Sequence, residues 1–131
     1  MVSITEYYLF PDDVYRMGNS TTHRMSVIRQ DEVITTVIKG VTIVVANNSG
    51  VSVWTKEGII EKGLTGYAWL IKTGTSLPIG LKLVNDTPGH YMLAPVRNMP
   101  LDTYKGLLEE MGMKCEKYLQ VKKDGTMVRV G

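Results

Sequence analysis

The stretch Val41-Thr42-Ile43-Val44-Val45-Ala46-Asn47-Asn48-Ser49-Gly50-Val51-Ser52-Val53-Trp54 decides the fold class. Two apolar runs, Val41–Ala46 and Val51–Trp54, flank Asn47 to Gly50, residues that tolerate left-handed backbone conformations. β-Branched side chains suit a pleated, half-buried surface better than a helix, so both runs read as strands. In the second, alternation puts Val51 and Val53 on one face and Ser52 and Trp54 on the other. The first pair predicts a core face and the second a wall of a site.

Outward from this stretch the same pattern recurs. Val14–Met17 reads as a strand closed by the turn Gly18 to Thr22, and Met25–Ile28 with Val33–Ile38 reads as a hairpin. Tyr67–Lys72, Gly80–Val84 and Tyr91–Val96 follow, separated by the loops Thr73 to Pro78 and Asn85 to Gly89. One helix is evident: Leu101, Tyr104, Leu107, Leu108 and Met111 recur at helical spacing between Pro100 and Gly112. Gly106 is its weak point. The tail predicts a second hairpin, Lys117–Val121 with Thr126–Val130 around Asp124-Gly125, whose apolar strand could serve as a pairing edge for another chain. No repeat or linker divides the chain, so residues 1–131 read as a single α+β domain with a strand-dominated core and few helices.

Composition agrees. A chain of 131 residues with 44% hydrophobic side chains has enough apolar surface to order itself. A net charge of +2 is too small for a nucleic-acid or membrane-surface field. Cys115 is the single cysteine, which excludes an internal disulfide framework. Met1–Phe10 lacks the basic start and apolar run of a secretory signal, and no run approaches the roughly 20 apolar residues of a membrane span. The expectation is a protein soluble where it is made, without membrane association, any export using a route that reads no cleaved signal.

The motifs narrow the chemistry. Two histidines and one cysteine, without paired spacing, are too few for a tetrahedral metal set, so no metal site is expected. Neither a Gly-x-Gly-x-x-Gly nor a Walker-type run is present, so a bound nucleotide must be held by other groups. Ser52, His90 and several aspartates exist, but Ser52 lacks the Gly-x-Ser-x-Gly elbow of an acyl-transfer enzyme. Arg16, between Tyr15 and Met17, can present a bidentate fork to a phosphate, with the turn at Gly18-Asn19-Ser20 adding N–H donors. The competing reading is a surface pair with Asp12 or Asp13. Ser52 beside Trp54 suits a ribose or nicotinamide contact, against a plain exposed serine and a packing tryptophan. His90, at the junction of Thr87-Pro88-Gly89 and a strand, suits ribose binding or proton transfer, against a structural hydrogen-bonder. Glu57 and Glu61 lie close enough in sequence to reach the same cleft, Glu32 is a further acidic candidate, and all three can equally be solvated carboxylates.

The ordered set Val14-Tyr15-Arg16-x-Gly18-Asn19-Ser20, Gly50-Val51-Ser52-Val53, Leu77-Pro78-x-Gly80-Leu81-Lys82 and His90-Tyr91-Met92-Leu93-Ala94-Pro95 with Met99-Pro100 resembles a family. It is similar to the small ADP-ribosyltransferase-like toxins typified by a type VI secretion effector that acts in the cytoplasm of its target cell. The resemblance covers about residues 14–111. It implies a split β-sandwich clasping NAD, with Arg16 and Asn19 at the dinucleotide, Ser52 and His90 on the ribose, and Trp54 or Tyr91 stacking on a ring. It further implies transfer of ADP-ribose to a macromolecular acceptor, and a cognate immunity protein or antitoxin protecting the producer. Members of the wider superfamily carry a glutamate in the last motif. None stands beside His90 here, so Glu57 is the candidate to offset the cationic sugar, together with Ser52 and His90 as the catalytic set. That departure leaves open NAD hydrolysis, or a non-catalytic module of the same fold that binds a nucleotide or a protein.

Overall fold

The β-branched and aromatic runs pair into two antiparallel sheets in the computed structural model, which describes residues 5–130. The strands are β1 (Thr5–Tyr7), β2 (Val14–Gly18), β3 (Thr35–Ile38), β4 (Val41–Val44), β5 (Val51–Trp54), β6 (Gly66–Ile71), β7 (Leu81–Thr87), β8 (His90–Pro95), β9 (Met99–Pro100), β10 (Glu116–Val121) and β11 (Met127–Arg129). Two helices join them, α1 (Lys56–Lys62) and α2 (Leu101–Gly112). The larger sheet runs β1-β7-β8-β5-β2-β6-β10-β11 and the smaller β3-β4-β9, so the fold is α+β. The readings of Met1–Phe10 and of the domain's ends extend to residues 1–4 and 131, outside the described residues.

Each face of the large sheet carries an apolar cluster. Val14, Val51, Val53, Leu83 and Leu93 face Tyr104, Leu108 and Met111 of α2, with Met25, Val44 and Met99 from the smaller sheet and its approach. Tyr15, Ala68, Leu70, Leu119 and Val121 on the opposite face pack around Ile59 of α1. The α2 hydroxyl of Tyr104 donates to Leu93 O at 2.6 Å and accepts from Val51 N at 3.1 Å, which ties the helix to both central strands. Gly50 lets β5 approach β8, because a Cβ there would lie 1.9 Å from the oxygen of Leu93.

Several expectations require correction. Met25–Ile28 is not a strand: the carbonyls of Arg24 and Val27 accept from the Arg16 guanidinium, so they have no ladder to join. The hairpin forms one segment later, between β3 and β4, with Lys39 and Gly40 both at positive φ in its turn. Val41–Ala46 stops at Val44, and β4 and β5 enter different sheets. Gly112 closes α2 from inside, where a Cβ would meet the His23 ring at 2.3 Å. The sequence reading missed α1, whose seven residues include Gly58. That glycine is needed because a Cβ would lie 2.3 Å from Gly89 O. Thr55 caps this helix, its Oγ1 accepting from Gly58 N at 3.1 Å, and Gly63 ends it in the left-handed region.

Candidate active site

Register brings Ser52, Trp54 and His90 together. β5 and β8 pair with Trp54 opposite His90 and Ser52 opposite Met92, so these four side chains share one face of the sheet. Trp54 and His90 lie with ring centroids 4.2 Å apart and planes inclined at 34°. His90 Nε2 lies 2.9 Å from Ser52 Oγ, and Nδ1 lies 2.7 Å from Asp86 Oδ1. Asp86 is the bulged residue of the β7–β8 hairpin, where the register jumps from Asn85–Tyr91 to Thr87–His90. Such a bulge re-aims a side chain, here onto the imidazole. Asn85 Nδ2 fastens it by donating to the carbonyls of Thr87 and His90 at 2.8 and 2.9 Å.

The backbone of Ser52 is held just as firmly. β2 and β5 pair only at Tyr15–Trp54. Beyond that point side chains replace the strand: Ser52 N donates to Glu32 Oε2 at 2.8 Å, and Ser52 O accepts from Arg16 Nη1 at 2.9 Å. Arg16 and Glu32 close the ring with an ion pair at 3.2 Å, and both residues are buried. Glu32 Oε1 also accepts from Arg29 N at 2.8 Å, which sets the loop carrying Arg29 over the site.

Two adjoining cavities open here. One of about 290 Å³ is lined by Arg29, Glu32, Ser52, Trp54, Lys62 and His90. The other, of about 620 Å³, shares Trp54, Lys62 and His90 and adds Glu61 and Thr87. Arg29 and Lys62 are exposed, and neither makes an ion pair among the described residues. The site therefore combines a hydroxyl, an imidazole fixed by a carboxylate, an aromatic wall, and the exposed charges of Arg29 and Lys62 with those of Asp31 and Glu61.

Four expected site residues stand elsewhere. Arg16 is revised from a direct diphosphate ligand to a clamp: Nε, Nη1 and Nη2 are bonded to Arg24 O, Glu32, Ser52 O and Val27 O, and burial lowers its pKa despite the attraction of Glu32. Asn19 organises its own turn, its Oδ1 accepting from Thr21 N, Thr21 Oγ1 and Thr22 N. Tyr91 alternates to the opposite face and is buried, with its hydroxyl on Asp12 at 2.9 Å; burial is the first cause of its raised pKa and that bond the second. Glu57 lines a separate cavity with Asp12, Asp13, Tyr15 and Thr73. Asp86, Arg29 and Lys62 escaped the sequence reading. Only Asp86 carried a signal, its position four residues before His90 across the Pro88-Gly89 turn.

A family model described as Tse2 ADP-ribosyltransferase toxin matches residues 7–118. No curated protein and no solved structure matches the chain.

Proposed function

Because the chain belongs to the Tse2 ADP-ribosyltransferase toxin family, we propose that it is a toxin that takes NAD on the Ser52–Trp54–His90 face and transfers ADP-ribose from it. The hydrogen-bonded line Ser52–His90–Asp86 beside Trp54 carries the reading. NAD is the co-substrate that the family implies, and the residues fit it. The larger cavity lies in the roughly 300–1,000 Å³ range of small-molecule sites, an aromatic wall suits a ring, and Arg29 with Lys62 suits a diphosphate.

NAD supplies the ADP-ribose, through cleavage of the bond between nicotinamide and ribose with positive charge building on the sugar. Trp54 packs against a ring and keeps water from that face. Arg29 and Lys62 neutralise the diphosphate and orient the sugar, an entropic advantage that a flexible complex lacks. Ser52 Oγ holds a ribose hydroxyl, and His90, with Nδ1–H donated to Asp86, takes the acceptor's proton at Nε2. Glu61 replaces Glu57 as the carboxylate that offsets the cationic sugar, since it lines the cavity with Trp54 and His90.

Residues 1–131 act as one ADP-ribosyltransferase-like domain of the split β-sandwich kind, its two antiparallel sheets packed around the α2 core. The toxin acts in the cytoplasm of a target bacterial cell on an acceptor macromolecule, as a secreted effector neutralised in its producer by an immunity protein. No helix among the described residues is long and apolar enough to cross a membrane.

Labelled NAD incubated with purified protein and cell lysate tests this reading. Released nicotinamide and a labelled macromolecule are expected, with both lost in His90→Ala; silence of the wild type refutes it. A second reading, a non-catalytic nucleotide- or protein-binding module, is favoured by Glu32, whose carboxylate is spent on Arg16, Ser52 N and Arg29 N. NAD affinity without nicotinamide release selects that module.

A further inference from the structure

We infer that Ser52 is a nucleophile activated by His90, and that the chain carries a serine acyl-hydrolase activity toward small esters bearing a negative charge. An activated serine is recognised by a base within hydrogen-bond reach and a third group orienting that base. Both contacts are present, at 2.9 Å from Ser52 Oγ to His90 Nε2 and 2.7 Å from His90 Nδ1 to Asp86. With its Nδ1 proton donated to Asp86, a neutral imidazole turns the lone pair of Nε2 toward the serine hydroxyl.

A second, independent feature separates Ser52 from an ordinary strand serine. Its backbone N–H and C=O are gripped by the buried Glu32 and Arg16 in place of a neighbouring strand, which fixes the side chain's origin. A preorganised nucleophile needs such support, and its geometry takes the place of the missing Gly-x-Ser-x-Gly elbow. Arg29 and Lys62 line the same 290 Å³ cavity beside the exposed Asp31 and the Arg16-paired Glu32, so an acyl or leaving group with a carboxylate or phosphate is favoured where it lies against the two cations. Either cation can also face the oxyanion.

In the reaction, Ser52 Oγ attacks the ester carbonyl carbon while its proton passes to His90 Nε2. The carbon–oxygen bond to the alcohol breaks, and the alcohol leaves with that proton. Water then attacks the acyl-serine through the same base, releasing the acid and restoring the hydroxyl. No step uses NAD, so the proposal stands or falls apart from ADP-ribose transfer.

A fluorophosphonate probe tests it, with NAD absent. Ser52 Oγ attacks phosphorus, the P–F bond breaks, fluoride leaves and the serine proton goes to His90. We expect one adduct, mapped to Ser52 by mass spectrometry of the folded protein, with its rate lowered at least about a hundredfold in His90→Ala and His90→Gln. Asp86→Asn also slows it, and p-nitrophenyl succinate is hydrolysed faster than p-nitrophenyl acetate, a preference reduced in Lys62→Met. Thermal melts identify variants that fail to fold. A natively folded wild type with no adduct at Ser52, or a labelling rate indifferent to His90 in folded variants, overturns the proposal.

Discussion

Replacing Arg16 with alanine separates two roles for this residue, direct ligand and internal clamp. The guanidinium makes four hydrogen bonds, to Arg24 O, Glu32, Ser52 O and Val27 O, and is only 4% exposed. Its removal leaves Glu32 buried at 8% exposure without its cation. Breaking a buried pair from one side costs about 3–5 kcal/mol, a large share of the roughly 5–15 kcal/mol that holds a domain together. At about 4 °C per kcal/mol for a chain of this size, Arg16→Ala should melt about 12–20 °C below the wild type. Urea unfolding and calorimetry measure both quantities. Adding Glu32→Gln to Arg16→Met removes the stranded charge yet keeps an acceptor for Ser52 N, so this double variant should recover much of the loss. NAD affinity of whatever Arg16→Ala remains folded should fall only through displacement of Ser52. A variant that melts with the wild type and loses NAD binding outright would refute the clamp and restore Arg16 as a ligand.

Other consequences follow from individual side chains. Tyr104→Phe strips Val51 N and Leu93 O of their shared hydroxyl partner and should cost about 1–3 kcal/mol in urea unfolding. Cys115, whose thiol is pushed up to about 12 first by burial, should react with Ellman's reagent at pH 8 at least about a hundredfold more slowly than in denaturant. The Asp13 carboxyl is held below its ordinary value near 3.8 mainly by the backbone N–H and hydroxyl of Thr73. Its contribution is present above that ordinary value and disappears as pH falls through the lowered one. Asp13→Asn should therefore be destabilised at neutral pH by less than about 1 kcal/mol, with the difference from wild type vanishing in strong acid.

Where local chemistry decides the structure, the sequence was readable. Alternation placed Val51 and Val53 in the core and Ser52 and Trp54 on the opposite face, and helical spacing located α2 with Tyr104, Leu108 and Met111 inward. Tertiary contacts decided the remainder. Met25–Ile28 has a strand's composition, but the carbonyls of Val27 within it and Arg24 before it answer to a side chain 11 and 8 residues earlier. Gly58 argues against a helix until Gly89 is seen pressed against it. Ser52, Trp54 and His90 could be named because each stands beside a turn or aromatic signal. Tyr91 was misassigned through strand parity, since the residue after His90 must face the other way. Asp86 acquires its meaning from a register shift, and Arg29 and Lys62 from the meeting of a loop with α1.

A crystal structure with a non-hydrolysable NAD analogue examines the central claim most directly. The analogue is expected against Trp54 and His90, with its ribose on Ser52 and its diphosphate between Arg29 and Lys62. An analogue seated instead in the cavity of Asp12, Asp13 and Glu57, or one that displaces Glu32 to reach Arg16, would contradict it.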